Sequence, residues 1–237
     1  METSTIQRIK DRAGRLIEDR VLQTGRVLEV RPWTPCSMIE IDLHLPAADM
    51  SQWTEVPYMK FKVASLTYRD YTPSRWDAET QTCTLFIDTG HDGPGSRWAR
   101  SLRQNDTVGY FKEKTTHHHP SETAGIVALG DASSLGHLLA LEQMTMPSGR
   151  FSGAILLDDE DHHKLLPEYF RLNLQPLKRE DEYGHQTLMN WLDHTYGKLS
   201  DTMFYITGNN TLVDRLRKLL RENGYHSDQM RIKGFWS

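Results

Sequence analysis

The segment Gly125-Ile-Val-Ala-Leu-Gly130 marks the point at which the pattern of the 237-residue chain changes. It is a short, continuous apolar run, which is typical of a buried strand, and apolar residues at helical spacing follow it over residues 135–144. Further strands are predicted over residues 151–157, 173–177 and 201–207, and further helices over residues 163–170, 187–196 and 212–222. Strands that alternate with helices indicate βαβ units, so the sequence predicts a parallel sheet from residue 125 onwards.

Short strands with polar turns dominate the chain before Gly125. In Thr82-Cys-Thr-Leu-Phe-Ile-Asp88, the apolar residues Cys83, Leu85 and Ile87 alternate with the residues between them, which is the period of a half-buried strand. The other strands are predicted over residues 26–30, 37–43, 58–63, 68–72 and 107–112, with one helix over residues 94–104. Several such strands predict a small antiparallel barrel or sandwich. The expected fold class is therefore β-barrel plus α/β, with an antiparallel barrel followed by a parallel-sheet domain of the nucleotide-binding type.

These patterns divide the chain into four segments. Residues 1–22 are predicted to form an N-terminal helical segment, because residues 6–22 are charged and amphipathic. The barrel domain is expected over residues 23–116 and the α/β domain over residues 125–237. The polar stretch His117-His-His-Pro-Ser-Glu-Thr-Ala124 between them is interpreted as a linker.

The composition excludes several classes of protein. The net charge is −4 and 25% of the residues are charged, so no broad basic surface for nucleic acid is expected. Two cysteines, Cys36 and Cys83, are too few for a four-cysteine iron–sulfur cluster or a disulfide framework, and both are expected to be packed thiols. No apolar run approaches the ~20 residues that span a bilayer, and the first ten residues lack the apolar core of a signal peptide. We therefore expect a cytoplasmic protein without stable membrane insertion.

The densest group of chemically capable residues is Tyr68-Arg-Asp-Tyr-Thr-Pro-Ser-Arg-Trp76. On a strand, Arg69 and Tyr71 face the same side and Thr72 the opposite side, and Pro73 ends the hydrogen-bonded ladder. A guanidinium beside an aromatic ring suits a flat ligand that carries phosphate. From the spacing alone, however, an ordinary surface strand that ends at a turn is the simpler interpretation.

A second group is His91-Asp-Gly-Pro-Gly-Ser-Arg-Trp98, which follows a strand and opens a helix. Gly93 and Gly95 allow backbone N–H groups to turn toward a ligand, Pro94 suits the first helical turn, and Ser96 adds a hydroxyl. Helix N-termini of this kind bind anions. An ordinary Gly/Pro loop with a helix start explains the pattern equally well.

Two runs of neighbouring histidines invite a metal-site interpretation. They are His117-His-His119 and Asp161-His-His163, but consecutive histidines splay apart and rarely bind one ion together. We expect a solvated linker and a solvated helix start, and no metal site. No grouping of Ser, His and Asp or of Cys and His favours covalent catalysis over chance.

Taken in order, the motifs resemble one family. Arg69-x-Tyr71-Thr72 on a barrel strand, Gly93-Pro-Gly-Ser-Arg-Trp-Ala99 at a helix start and Gly130-Asp131 after a buried strand resemble the siderophore-interacting proteins. These are FAD-dependent ferric-siderophore reductases of the ferredoxin–NADP reductase superfamily. The ending Lys233-Gly-Phe-Trp-Ser237 is similar to the aromatic close of that family, and the resemblance covers residues 26–236.

The resemblance implies a role for each matching residue. Arg69 would bind the flavin phosphates, Tyr71 would stack on the isoalloxazine, and Thr72 would form a hydrogen bond near its reactive nitrogen. The other residues implied in FAD binding are Ser74, His91 beside the flavin, Gly95 and Ser96 at the diphosphate, and Trp236 as a cover over the flavin or adenine. The residues implied at the nicotinamide nucleotide are Gly130, Asp131, Ser133 and Ser134. No protein residue is expected to be catalytic, because the flavin carries the redox chemistry.

The expected function is electron transfer from NAD(P)H through FAD to a ferric siderophore or a similar small ferric chelate. The family's Gly-Asp-Glu-Thr-Ala-Leu-Pro turn is Gly130-Asp-Ala-Ser-Ser-Leu-Gly136 in this chain, without the Glu and the Pro. This change leaves a flavin-binding protein without turnover, such as a sensor or partner subunit, as an alternative. An interaction scaffold without flavin is a third.

Overall fold

The computed structural model describes residues 21–35, 37–145 and 150–236. The first of its two sheets is antiparallel, with the strand order β4-β3-β7-β1-β2-β6-β5 and the short β8 beside β3. Its strands are β1 (Gln23–Trp33), β2 (Met38–His44), β3 (Pro57–Ala64), β4 (Thr67–Tyr71), β5 (Ser74–Asp77), β6 (Thr82–Asp88), β7 (Thr107–Tyr110) and β8 (Lys114–Thr115). The sheet curls like a barrel, but in the part of the chain that the structure describes no pairing joins β4 to β5.

The second sheet is parallel and has the strand order β11-β10-β9-β12-β13. Its strands are β9 (Gly125–Asp131), β10 (Phe151–Leu156), β11 (Leu174–Leu177), β12 (Thr202–Asn209) and β13 (Met230–Trp236). The helices are α1 (Pro94–Ser101), which belongs to the first sheet's domain, and α2 (Leu135–Thr145), α3 (Glu160–Tyr169), α4 (His185–Tyr196) and α5 (Asn210–Glu222), which connect the parallel strands. The predicted order, antiparallel barrel and then parallel α/β domain, is confirmed.

The hydrophobic core explains why the two domains pack against one another. Cys83, Leu85 and Ile87 on β6 are buried inside the curled sheet, as their alternation predicts. Phe86, on the other face of β6, is also buried, because it packs with Trp33 against helices of the parallel domain. The half-buried strand predicted here is thus covered on both faces, and one apolar cluster continues from the first domain into the second.

Both histidine runs are less solvated than the sequence suggests. In the stretch predicted as a linker, His118 is only 3% exposed, because its carbonyl oxygen accepts a hydrogen bond from the Val56 amide and its ring lies against the parallel domain. At the start of α3, His162 is also 3% exposed, with its ring centroid 5.5 Å from that of Trp33. The prediction of solvated histidines is therefore wrong at His118 and His162, which are interdomain contacts.

The predictions for the cysteines, the N-terminal helix and membrane insertion can be compared with the structure only where residues are described. Cys83 is a buried free thiol whose pKa is raised by burial, whereas Cys36 lies outside the described residues. The helix predicted over residues 6–22 also falls almost entirely outside them. Among the residues that are described, no helix is both long enough and apolar enough to cross a membrane.

One glycine of the parallel sheet offers a test of this packing. A Cβ atom on Gly153 in β10 would lie 2.2 Å from the Ala128 carbonyl oxygen on the neighbouring strand β9. We expect Gly153→Ala to lower the free energy of unfolding by about 1–3 kcal/mol, because backbone atoms must move. Urea denaturation measures this change. Gly125→Ala is the control, since its Cβ would lie 3.5 Å from the nearest atom, and an equal loss in both variants would contradict the prediction.

Candidate functional site

A cleft of about 590 Å³ lies between the two domains. That volume falls within the range of small-molecule and cofactor sites in proteins. The walls come from the end of β4, the end of β6, the segment that opens α1, the first turn of α2, and β13. Both domains thus contribute residues to one site, the parallel domain through α2 and β13.

Eight of the twelve residues that the sequence assigns to cofactor or nucleotide binding line this cleft. They are Arg69, Tyr71, Thr72, His91, Gly95, Ser96, Ser133 and Trp236. The remaining four, Ser74, Gly130, Asp131 and Ser134, do not line it. Thr72 shares the cleft with Tyr71 although strict alternation puts the two on opposite sides, because β4 already ends at Tyr71.

Tyr71 packs against α1, both at the start of the helix and at Trp98. Its ring is stacked on that of Trp98 with the centroids 5.8 Å apart and an interplanar angle of 13°. Burial raises the pKa of the Tyr71 hydroxyl, which therefore remains protonated. A Cβ atom on Gly95 would lie 2.3 Å from the Tyr71 hydroxyl oxygen and 3.4 Å from Cγ of Arg69. The start of α1 therefore approaches β4 as closely as only a glycine permits.

Charges near Arg69 leave its guanidinium suited to an anionic ligand. Arg69 is exposed, and its Nη1 donates a hydrogen bond to the Tyr68 carbonyl oxygen at 2.7 Å. The adjacent Asp70 carboxylate lies 2.9 Å from Nζ of Lys60. The lysine thus offsets the negative charge that the sequence places next to the predicted phosphate-binding residue.

The first turn of α1 carries polar groups that lack protein partners. Gly93 is the N-cap, with no side-chain hydrogen bond capping the helix among the described residues, and Pro94 follows at the first helical position. The N–H groups of Gly95 and Ser96 have no acceptor within the helix because of their position. Ser96 is 1% exposed, and its buried hydroxyl has no hydrogen-bond partner within the described part of the chain. This combination fits an anion at the helix N-terminus.

The C-terminal strand closes one side of the cleft. The Trp236 indole is 46% exposed and is stacked on His91, with the ring centroids 5.9 Å apart and an interplanar angle of 15°. Its Nε1 donates to the Ser133 hydroxyl at 3.1 Å. Trp236 therefore contacts the barrel domain and the parallel domain at the same time.

The four predicted site residues outside the cleft have structural contacts. The Asp131 carboxylate accepts hydrogen bonds from the backbone N–H groups of Ser133, at 3.0 Å, and Asn209, at 2.8 Å, and burial raises its pKa. The Ser134 hydroxyl donates to the Asp131 carbonyl oxygen at 2.6 Å, and a Cβ on Gly130 would lie 2.1 Å from that hydroxyl. These three residues build the turn from β9 to α2. Ser74 is fully buried on β5, where its hydroxyl donates to the Thr84 carbonyl oxygen at 3.1 Å.

A buried pair of histidines beside the cleft is not predicted by the sequence analysis. Nδ1 of His118 lies 2.9 Å from Nε2 of His137, which is 1% exposed and lines the cleft. Burial lowers the pKa of both rings, that of His118 to about 4, and nearby Lys233 lowers both further. Both rings are therefore neutral near pH 7. His137 lies on an apolar helix 19 residues from His118, so no local motif could reveal the pair.

This pair predicts the direction in which stability changes with pH. Because the folded-state pKa values lie below the ordinary histidine value of 6.5, the unfolded chain binds more protons at acidic pH. The contribution of these two histidines to the free energy of unfolding is fully present above pH 6.5. It should fall as the pH drops toward 4, by at most about 1.4 kcal/mol per pH unit for each histidine. Denaturant titrations between pH 7 and 4.5 measure this slope.

Two variants separate this effect from the titration of carboxylates. His118→Gln should make the slope shallower, because it removes one of the titrating rings. His119→Gln, at the exposed neighbouring position, should leave the slope unchanged. Parallel pH profiles for the parent and His118→Gln would contradict the prediction.

Comparisons with known proteins agree with the sequence resemblance. Residues 123–237 match the family model described as siderophore-interacting protein. The siderophore-interacting protein of Acinetobacter baumannii superposes with a TM-score of 0.72 at 15% identity, covering 91% of this chain and 90% of that one. The siderophore utilization protein of T. fusca superposes with a TM-score of 0.69 at 20% identity, covering 91% and 92%. A comparison with curated protein sequences gives no match.

The same fold occurs in reductases. Phthalate dioxygenase reductase, described as a modular structure for electron transfer from pyridine nucleotides to [2Fe-2S], superposes with a TM-score of 0.72 at 11% identity, covering 92% of this chain and 69% of that one. At such low identities the superpositions establish the fold, and the family-model match is limited to residues 123–237. The chain therefore has the two-domain fold of the siderophore-interacting proteins and of phthalate dioxygenase reductase, and its residues 123–237 match the siderophore-interacting protein family model.

Proposed function

We propose that this protein is an FAD-dependent oxidoreductase that passes electrons from NAD(P)H to an iron(III)-siderophore or a similar ferric chelate. The observation that carries the proposal is the meeting of Arg69, Tyr71 and the first turn of α1 in one interdomain cleft. The buried Ser96 hydroxyl, which has no partner among the described residues, supports a bound anion there.

The residues of the cleft fit the parts of FAD. Arg69 and the backbone N–H groups of Gly95 and Ser96 would hold the diphosphate, because they offer a guanidinium and unpaired donors. Tyr71 would face the flat ring system, supported from behind by Trp98. Thr72 would donate a hydrogen bond at the ring, and Trp236 would cover it. FAD should bind better than FMN, because a diphosphate can engage both the Arg69 guanidinium and the N–H groups at the start of α1, whereas a monophosphate can engage only one of these two groups of donors.

A bound flavin would supply the redox chemistry, namely hydride acceptance from nicotinamide and single-electron transfer to iron(III). The residues of the cleft would bind and orient the flavin. Ser133, which lines the cleft beside Trp236, would contact the nicotinamide nucleotide. The description of phthalate dioxygenase reductase supports a pyridine nucleotide as the donor, and the family of residues 123–237 supports a ferric siderophore as the acceptor.

An anaerobic reduction experiment tests this function. We expect NADH or NADPH to bleach the absorption of the FAD-loaded protein, and a ferric chelate added afterwards to restore it with formation of iron(II). A flavin that only dithionite reduces would contradict the assignment of an NAD(P)H-dependent enzyme.

A flavin-binding protein without turnover is the second candidate. One observation favours it, namely that Gly130, Asp131 and Ser134 are engaged in the turn from β9 to α2 and only Ser133 of the predicted nicotinamide group lines the cleft. This candidate predicts stable FAD binding without bleaching by either nicotinamide nucleotide.

A further inference from the structure

The His118–His137 pair connects three parts of the structure beside the cleft. His118 belongs to the segment between the two sheets and His137 to the first turns of α2, and the Ile232 backbone on β13 is near enough to the His118 ring to raise its pKa. Phe235 on the same strand has its ring centroid 5.7 Å from that of His137 and also lines the cleft. His137 is thus part of the wall formed by α2 and β13, and His118 contacts it there.

These contacts favour one arrangement of the protons on the two neutral rings. Each neutral ring carries a single N–H, so one ring donates and the other accepts across the contact between Nδ1 of His118 and Nε2 of His137. The Ile232 backbone raises the pKa of the His118 ring, as a nearby acceptor does, which favours a proton on Nε2 of His118 and leaves its Nδ1 as the acceptor. In that arrangement His137 donates from Nε2, and its Nδ1 carries no proton and is a hydrogen-bond acceptor.

That acceptor has no partner within the described residues. Nδ1 of His137 is buried and unpaired, although buried polar groups in folded proteins are nearly always hydrogen-bonded. His137 itself is 1% exposed and lines the cleft. Since Nε2 is used by His118, Nδ1 is the polar atom that His137 can offer to a molecule in the cleft.

We propose that His137 is a binding residue of the cleft, whose Nδ1 accepts a hydrogen bond from an N–H group on the edge of the bound ring system, and that His118 is the positioning residue that fixes the required tautomer. The inference rests on the proposed function, in which this ring system is the isoalloxazine, whose pyrimidine ring carries an N–H. A ligand without an N–H at that edge would leave Nδ1 unsatisfied and bind more weakly.

Two substitutions separate the two nitrogens of His137. In His137→Gln the amide can still donate to His118 from the position of Nε2, but the acceptor at Nδ1 is lost. In His137→Asn the amide oxygen replaces Nδ1 as acceptor, and the bond to His118 is lost. We expect His137→Gln to weaken FAD binding about tenfold without lowering the melting temperature of the flavin-free protein, and His137→Asn to retain most of the affinity.

Nitrogen NMR of the histidine rings gives a second measurement that does not depend on activity. In the flavin-free protein Nδ1 of His137 should have the chemical shift of an unprotonated imidazole nitrogen, and saturation with FAD should move it toward that of a hydrogen-bonded acceptor. An unchanged resonance, or equal FAD affinity in His137→Gln and the parent, would overturn the inference while leaving the proposed function intact. Equal losses of affinity and stability in both variants would show a structural role only. If the parent protein binds no FAD, the proposed function fails and this inference fails with it.

Discussion

Arg69→Ala should weaken FAD binding by about 1.5–3 kcal/mol, which is a factor of about 10 to 150 in the dissociation constant. The physical reason is the loss of charge-assisted hydrogen bonds to a phosphate from an exposed guanidinium on β4, beside the first turn of α1. Fluorescence titration of the flavin-free protein with FAD measures the change. Arg69→Lys should recover only part of the affinity, because an ammonium cannot form the planar, two-pronged contact.

The control is Arg26→Ala, which removes an exposed arginine from β1, outside the cleft. It changes the net charge by the same amount, so it should reproduce only the long-range electrostatic part of the effect. If Arg69→Ala binds FAD as tightly as Arg26→Ala does, Arg69 belongs to an ordinary surface strand and the phosphate site lies elsewhere.

Ser96→Asp should weaken FAD binding about a hundredfold relative to Ser96→Asn. The two new side chains have nearly the same size, but only the aspartate places a negative charge where the diphosphate is proposed to bind. Two like charges about 5 Å apart repel by about 3 kcal/mol at an effective dielectric constant of 20. Without flavin the aspartate should not reduce stability relative to the asparagine, since helix N-termini favour a negative charge.

Thermal melting of the flavin-free variants therefore serves as the control for this prediction. Similar FAD affinities for Ser96→Asp and Ser96→Asn, at similar stability, would show that the first turn of α1 does not bind the diphosphate. A Ser96→Asp variant that melts much lower than Ser96→Asn would contradict the electrostatic argument for the helix N-terminus.

Local patterns were sufficient to predict the architecture. The period of two residues in Cys83, Leu85 and Ile87 identifies β6, and the apolar run at Gly125 identifies β9, because each depends only on which side chains must leave water. The sequence does not indicate β5, since Pro73 marks the end of a strand and the pairing of Ser74 with Thr84 depends on a turn of the chain. Nor does it indicate that Phe86 is covered by a second domain.

The site residues that the sequence predicts correctly are close together in the chain, whereas those that it misses depend on contacts between distant residues. Arg69, Tyr71 and the start of α1 are recognisable because the residues of each group are close in sequence. Gly130 and Asp131 lie at the strand end where the resemblance places them, but whether such side chains face a ligand or cap a turn depends on partners such as Asn209, 78 residues away. The burial of His118 likewise depends on His137 and on a strand more than a hundred residues downstream, which no local pattern contains.

A titration of the purified protein with FAD and FMN tests whether the interdomain cleft binds FAD through two groups of phosphate-binding donors. We predict uptake of one FAD per chain with a dissociation constant in the micromolar range or below, and FMN binding at least about tenfold weaker because a monophosphate engages only one group of donors. No uptake of FAD, or equal affinity for the two flavins, would contradict it.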